Sequence, residues 1–199
     1  DLKNIQETAY PTDAFDAALD GCELAVLCNI NFSRPFLDRV KARGIPVATD
    51  VHTIADLEDD YNRDFMAAAD ILFMSDEALP MAPEAWAERV MARYGPRILV
   101  IGMGKAGALL ATRDPRSVTR IPAVDTRPVI NTIGAGDALF SSFVHTYTQT
   151  RDAYTALRHA TVFASYKIGE SGAADVLLTA AELEALVERV WDQFKESAP

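Results

Sequence analysis

Leu24-Ala25-Val26-Leu27-Cys28 is an uninterrupted apolar run, as expected of a strand buried on both faces. A helix pattern follows. Ser33 takes the cap position, Pro35 comes early, Phe36, Leu37 and Val40 mark one face, and Gly44 closes it. Ile45-Pro46-Val47-Ala48-Thr49 then reads as a second strand, ending at Asp50. Two strands and a helix within about 30 residues imply parallel neighbours joined by a right-handed crossover. Ile71-Leu72-Phe73-Met74 adds a third strand, and Glu84 to Tyr94 an amphipathic helix (Ala85, Trp86, Val90, Met91) stopped by Gly95-Pro96. The predicted fold class is α/β in three layers, a mostly parallel central sheet with helices on both faces. A length of 199 residues fits a single domain, 1–199.

The flanks add detail. Residues 1–12 read as an incoming loop. Asp13 is placed to cap a short helix carrying Phe15, Ala18 and Leu19, which Gly21 ends. Cys22 and Cys28 match no metal spacing and are predicted to be buried free thiols, which suits a reducing compartment. The acidic cluster Asp56, Glu58, Asp59, Asp60 reads as a solvated loop and helix, and His52 lies where such sheets place ligands. Thr179 and Glu182 form a capping box at the start of a last helix, whose stripe of Leu183, Leu186, Val187, Val190 and Trp191 is core packing. His159 is predicted to be a packed helix residue.

Two glycine clusters carry the chemistry. Arg97 to Gly107 contains Gly102-Met103-Gly104-Lys105-Ala106-Gly107, a G-x-G-x-x-G pattern after a strand. That pattern is compatible with a dinucleotide site if a long helix follows. Only Ala108-Leu109-Leu110-Ala111-Thr112 follows before Arg113-Asp114-Pro115, so a hairpin with a glycine loop is favoured. The second cluster is Asn131-Thr132-Ile133-Gly134-Ala135-Gly136-Asp137-Ala138-Leu139-Phe140. Its glycines precede an apolar run at helical spacing, so they sit at a helix N-terminus, where unpaired N–H groups and the helix dipole favour an anion. Asp137 falls in the first helical turn. A carboxylate beside a phosphate cradle can accept a proton from an attacking hydroxyl; the alternative is that Asp137 only stabilises the helix start.

Thr132, Gly134-Ala135-Gly136-Asp137 and Phe140 resemble the signature of the ribokinase-like (PfkB) carbohydrate kinase family, usually D-T-x-G-A-G-D-x-F. The resemblance implies an ATP-dependent phosphotransferase acting on a hydroxyl of a small sugar or sugar-like substrate. It implies Asp137 as catalytic base and the backbone N–H groups of Gly134, Ala135, Gly136 and Asp137 as the anion hole. Thr132, the loop glycines Gly102, Gly104 and Gly107, and Gly172 in the Gly172-Ala173 loop would border the nucleotide. Members usually carry N-x-x-E past the third strand to hold magnesium through water. In Ser75-Asp76-Glu77 the Asn is absent, and Glu77 is the nearest candidate for the Glu. Asn131 stands where the family usually has Asp, in a region that often helps hold a monovalent cation such as K+. The implied cofactors are ATP and Mg2+, with K+ open at this point. A nucleoside or vitamin alcohol as substrate, and a nucleotide binder without catalysis, are the competing readings.

The resemblance covers nearly all of this chain but only the latter two-thirds of a typical member. The early Gly-Gly motif, the Asp that grips the sugar and the β lid have no counterpart here, so the chain as written is expected not to phosphorylate a sugar efficiently. Relatives often pair through the lid, which makes a homodimer an expectation of the resemblance. A net charge of −10 argues against nucleic acid or an anionic membrane as partner. No apolar run reaches the ~18 residues of a membrane span, no signal peptide is visible, and a cytoplasmic location is expected. The first residue is not Met, so the natural N-terminus is expected upstream.

Overall fold

The computed structural model describes residues 8–172, 174–175 and 177–196, with side chains through 192. The expectations for residues 1–7 and Ala173 lie outside the described residues. Among the described residues six strands form one sheet in the order β1 (Ala25–Val26), β2 (Val47–Thr53), β3 (Ile71–Ser75), β4 (Ile98–Gly102), β5 (Ala108–Thr112) and β6 (Ser117–Ile121). The pairs β1–β2 and β2–β3 are parallel, with Ala25 opposite Val47 and Ala48 opposite Ile71. The fold class is the expected three-layer α/β with a mostly parallel sheet. Contacts divide the chain into two compact units, residues 1–101 with 111–118, and residues 102–110 with 119–199.

The first unit holds the helices α1 (Thr12–Ala18), α2 (Leu37–Ala42), α3 (Arg63–Ala68) and α4 (Pro83–Arg93). Its core is built from Val40, Val47, Ala48, Phe65, Met66, Leu72, Trp86, Val90 and Leu99, all nearly or fully removed from water. Four local expectations need correction. Ser33 caps nothing: it is buried within a 3-10 turn, Asn31–Phe36, that precedes α2 and contains Pro35. Asp13 lies inside the first turn of α1, and Pro11 occupies the cap. β1 is shorter than the apolar run and is not buried on both faces, since Ala25 and Leu27 are buried while Val26 is exposed. The cause is its place at the sheet edge, where alternate residues face outward. For the same reason Cys28 is exposed. Cys22 is exposed too, in the turn after α1, and neither cysteine forms a disulfide.

β2 also runs further than predicted. It continues past Asp50 through an irregular step between Asp50 and Thr53, and His52 takes φ 57° there. The Asp50 carboxylate accepts the His52 N–H at 2.8 Å, which supports that turn of the backbone.

The second unit carries α5 (Ala135–Thr150), α6 (Ala153–Lys167) and α7 (Ala180–Glu196). α5 packs on α6, and α6 on α7. Between α5 and α6, Arg151 adopts a left-handed conformation and Asp152 caps α6 by accepting the N–H groups of Tyr154 and Thr155 at 2.8 and 3.0 Å. Phe143, Ala156, Leu157, Ala160 and Val162 are fully buried. His159 is packed as predicted, its ring between the Thr155 carbonyl at 2.9 Å and the Glu184 carboxylate at 2.7 Å.

The capping box of α7 forms as expected. Glu182 accepts the Thr179 N–H at 2.8 Å and its hydroxyl at 2.7 Å, and the Thr179 oxygen accepts the Glu182 N–H at 3.3 Å. The hydroxyl and the N–H of Thr179 hold the Glu182 carboxyl below its ordinary value of 4.5. A depressed carboxylate stabilises the fold above its unfolded pKa, and that contribution is lost as pH falls through the folded value. Losing the N-cap hydroxyl in Thr179→Ala is expected to cost about 1 kcal/mol near neutral pH. The gap in melting temperature from the parent should narrow in acid; a gap that widens in acid refutes the reading.

Candidate active site

The Asn131–Asp137 turn is built by its own side chains and backbone. The Asn131 Oδ1 accepts the Ile133 N–H at 3.0 Å, an Asx-type turn. The Thr132 carbonyl then accepts the Ala135 N–H at 3.1 Å. Gly134 occupies the N-cap of α5 with φ 80°, a conformation that suits glycine and turns the chain into the helix. After this, the N–H groups of Gly134, Gly136 and Asp137 have no protein partner among the described residues. A Cβ at Gly136 would meet nothing within 4 Å, so the space beside that residue is open. Asp137 is exposed in the first turn of the sixteen-residue helix α5. Of the four N–H groups expected to form an anion hole, that of Ala135 is used to close the turn.

The turn is tied to the loop after α6. The N–H groups of Ile130 and Asn131 both donate to the Ile168 carbonyl, at 2.8 and 3.0 Å, and the Asn131 Nδ2 donates to the Ser171 carbonyl at 2.6 Å. Gly172 comes next, and a Cβ there would overlap the Asp175 carboxylate. Its small size therefore makes room for a neighbour in the chain. Arg127 reinforces the crossing. It donates to the Tyr166 carbonyl and the Glu170 carboxylate, both at 2.6 Å, and its guanidinium lies 3.8 Å from the centre of the Tyr166 ring. Its side chain runs through the space a Cβ on Gly169 would fill. Sequence reasoning gave Arg127, Ser171 and Ile168 no role. Asn131 two residues ahead of Ile133 was a readable Asx signal, but the crossing joins distant segments and leaves no local mark.

The glycine-rich segment forms the predicted hairpin loop, in the same unit. The Met103 N–H donates to the Gly107 carbonyl at 2.8 Å, Gly104 to Ala106 make a 3-10 turn, and β5 follows where a dinucleotide fold needs a helix. Gly102 ends β4, Gly104 has φ 53°, and Gly107 has φ 90°. The dinucleotide reading is excluded by that strand. Glu77 belongs to the other unit, in the turn after β3, where its N–H donates to the Ser75 hydroxyl at 3.3 Å. Its carboxylate is exposed, and among the described residues no cluster of three metal-ligating side chains occurs. A lone carboxylate fits Mg2+ held mainly by phosphates and water, and does not fit an all-protein metal cage. A monovalent cation fits less well at Asn131: the Nδ2 is a donor already aimed at the Ser171 carbonyl, and the Oδ1 is taken by Ile133. A cleft of about 490 Å³ lined by Leu57, Pro80, Trp86 and Arg93 contains none of the predicted site residues.

A family model described as pfkB family carbohydrate kinase matches residues 40–180. The chain belongs to this family. The 1-phosphofructokinase of Haloferax volcanii is 35% identical over 202 aligned positions, covering 95% of this chain and 62% of its own length. Among solved structures, a microbiome-derived acarbose kinase superposes with a TM-score of 0.83 at 26% identity, covering 92% of this chain and 62% of that one. A ribokinase-like protein of E. coli, solved with ATP and Mg2+, has a TM-score of 0.74 at 16% identity, a likeness of fold alone; it covers 87% of this chain and 61% of that one. The chain spans between 26% and 62% of the length of the curated relatives named deoxyribokinase and 1-phosphofructokinase. Among the described residues of this pfkB-family chain, no helix is long and apolar enough to cross a membrane.

Proposed function

We propose that this chain is the nucleotide-binding and catalytic-base portion, here a single α/β domain, of an ATP-dependent kinase that phosphorylates a hydroxyl of a small sugar or sugar-like molecule. The observation that carries this reading is the open cradle at the start of α5. Three N–H groups without protein partners among the described residues stand beside an exposed carboxylate, in a chain of the pfkB family. Asp137 takes the proton from the attacking hydroxyl. The N–H groups of Gly134, Gly136 and Asp137 stabilise the charge on the transferring phosphoryl group, aided by the α5 dipole. Thr132 shapes the cradle through its carbonyl. The hairpin loop with Gly102, Gly104 and Gly107, and the loop holding Gly172, border the nucleotide. For Glu77, in the other unit, this reading keeps only the role that the resemblance implies, a carboxylate that would hold Mg2+ through water. Bound ATP and Mg2+ supply the phosphoryl group and neutralise its charge. The site is cytoplasmic in this reading, and any pairing of subunits is homodimeric.

The test is ADP release from Mg-ATP by the longest natural form of the protein, against a panel of sugars, sugar phosphates, nucleosides and vitamin alcohols. Release stimulated by one sugar or sugar phosphate is the expected result. Stimulation only by a nucleoside or vitamin alcohol replaces the substrate class and keeps the kinase. ATP binding without stimulation by any compound overturns the kinase in favour of a nucleotide binder.

A further inference from the structure

The three N–H groups that have no partner among the described residues form a cradle only while the 131–137 turn is held in place. Its anchor is the crossing with the loop after α6, where Ile130 and Asn131 share the Ile168 carbonyl. The carboxamide of Asn131 works in both directions there, donating to Ser171 at 2.6 Å and accepting from Ile133 at 3.0 Å. The partners fix which end is which, since a carbonyl can only accept and a backbone N–H only donate. An acid at this position would set a carboxylate oxygen against the Ser171 carbonyl. Two oxygens that close repel unless a proton or a cation lies between them. The amide hydrogens of Asn131 bring that positive charge from within the chain.

We propose that the Asn131 carboxamide does internally what a bound monovalent cation would do, fixing the cradle to the 168–171 loop so that this protein binds nucleotide without one. Asn131 is a positioning residue in this role, because it acts through the N–H groups of Gly134, Gly136 and Asp137. The proposal rests on reading that turn as the phosphoryl cradle.

The experiment measures calorimetric affinity for ADP with Mg2+, for the parent and Asn131→Asp, in tetramethylammonium chloride and in potassium chloride at equal ionic strength. Amide hydrogen exchange across 131–137 is followed in the same four conditions without nucleotide. The parent is expected to bind ADP within twofold in the two salts and to exchange alike in both. The variant is expected to bind about tenfold more weakly and exchange faster in tetramethylammonium, and to recover in potassium. A purely structural role for Asn131 would weaken the variant equally in both salts, which overturns the proposal. So does a parent that tightens tenfold in potassium, or a variant that matches the parent throughout. If the parent binds no ADP, the kinase reading fails, and the exchange data alone decide the role of Asn131. If the variant does not fold, the parent's own response to potassium decides it.

Discussion

Asp137→Asn is expected to cut substrate-dependent turnover by about 10²–10⁴-fold, the range general-base catalysis supplies. ATP affinity should stay within about twofold. The separation follows from the geometry. The N–H of residue 137 belongs to the open cradle, and Asn keeps both that N–H and the shape of the side chain. What it loses is the ability to take a proton. It also loses an acid in the first turn of α5, worth about 0.3–1 kcal/mol against the helix dipole. A thermal melt recorded alongside the kinetics removes that effect from the comparison. Parent and variant with equal kcat would leave Asp137 as a helix-start residue and nothing more. A loss confined to KM would point to substrate binding and not to proton transfer.

Gly107→Ala is expected to be the most destabilising single change in the glycine-rich hairpin. Gly107 has φ 90° and ψ −130°, a region that is essentially closed to residues with a Cβ. A Cβ there would also overlap the Ile121 carbonyl and lie 2.6 Å from the Ala123 nitrogen and 2.7 Å from the Pro122 carbonyl carbon. All three are backbone atoms, so no rotamer change relieves the overlap. The expected cost is on the order of 4 kcal/mol, a large part of the 5–15 kcal/mol that holds a typical domain together. Gly104→Ala is the control. Its φ is 53°, but a Cβ there meets nothing within 4 Å, so only backbone strain of about 1–2 kcal/mol applies. Denaturant midpoints for the two variants separate the contributions. Equal losses would mean that the close approach of residues 121–123 gives way at little cost.

The elements that were legible in the sequence are those set by local chemistry. The apolar runs of β2, β3 and β4 gave strands, and the turn formers after Thr112 turned a dinucleotide-like pattern into a hairpin. Thr179 and Glu182 announced the start of α7, and the glycines before Asp137 announced the start of α5. Ser33 and Asp13 are local misreadings, each lying inside a helical turn instead of at its cap, and the others came where distant partners decide. An apolar run at 24–28 does not say that its strand will lie at a sheet edge, so the exposure of Val26 and Cys28 was invisible. The cradle shows the same division. Its glycines and acid are a contiguous motif, while the closure of Ala135 onto Thr132 and the crossing from Asn131 to Ser171 depend on the folded turn and on a loop far along the chain.

Arg127 and Gly169 illustrate what such a crossing imposes on change over time. With the arginine side chain running beneath it, residue 169 has room for glycine only. If a smaller residue replaces Arg127, that restriction disappears, and with it the reason to keep the glycine. The reverse order is costly, because a side chain at 169 that arrives first must push the guanidinium off Tyr166 and Glu170. The two positions therefore drift most readily in sequence, arginine before glycine, and a substitution at 169 that is harmful in this chain is less so in a descendant that has already lost Arg127.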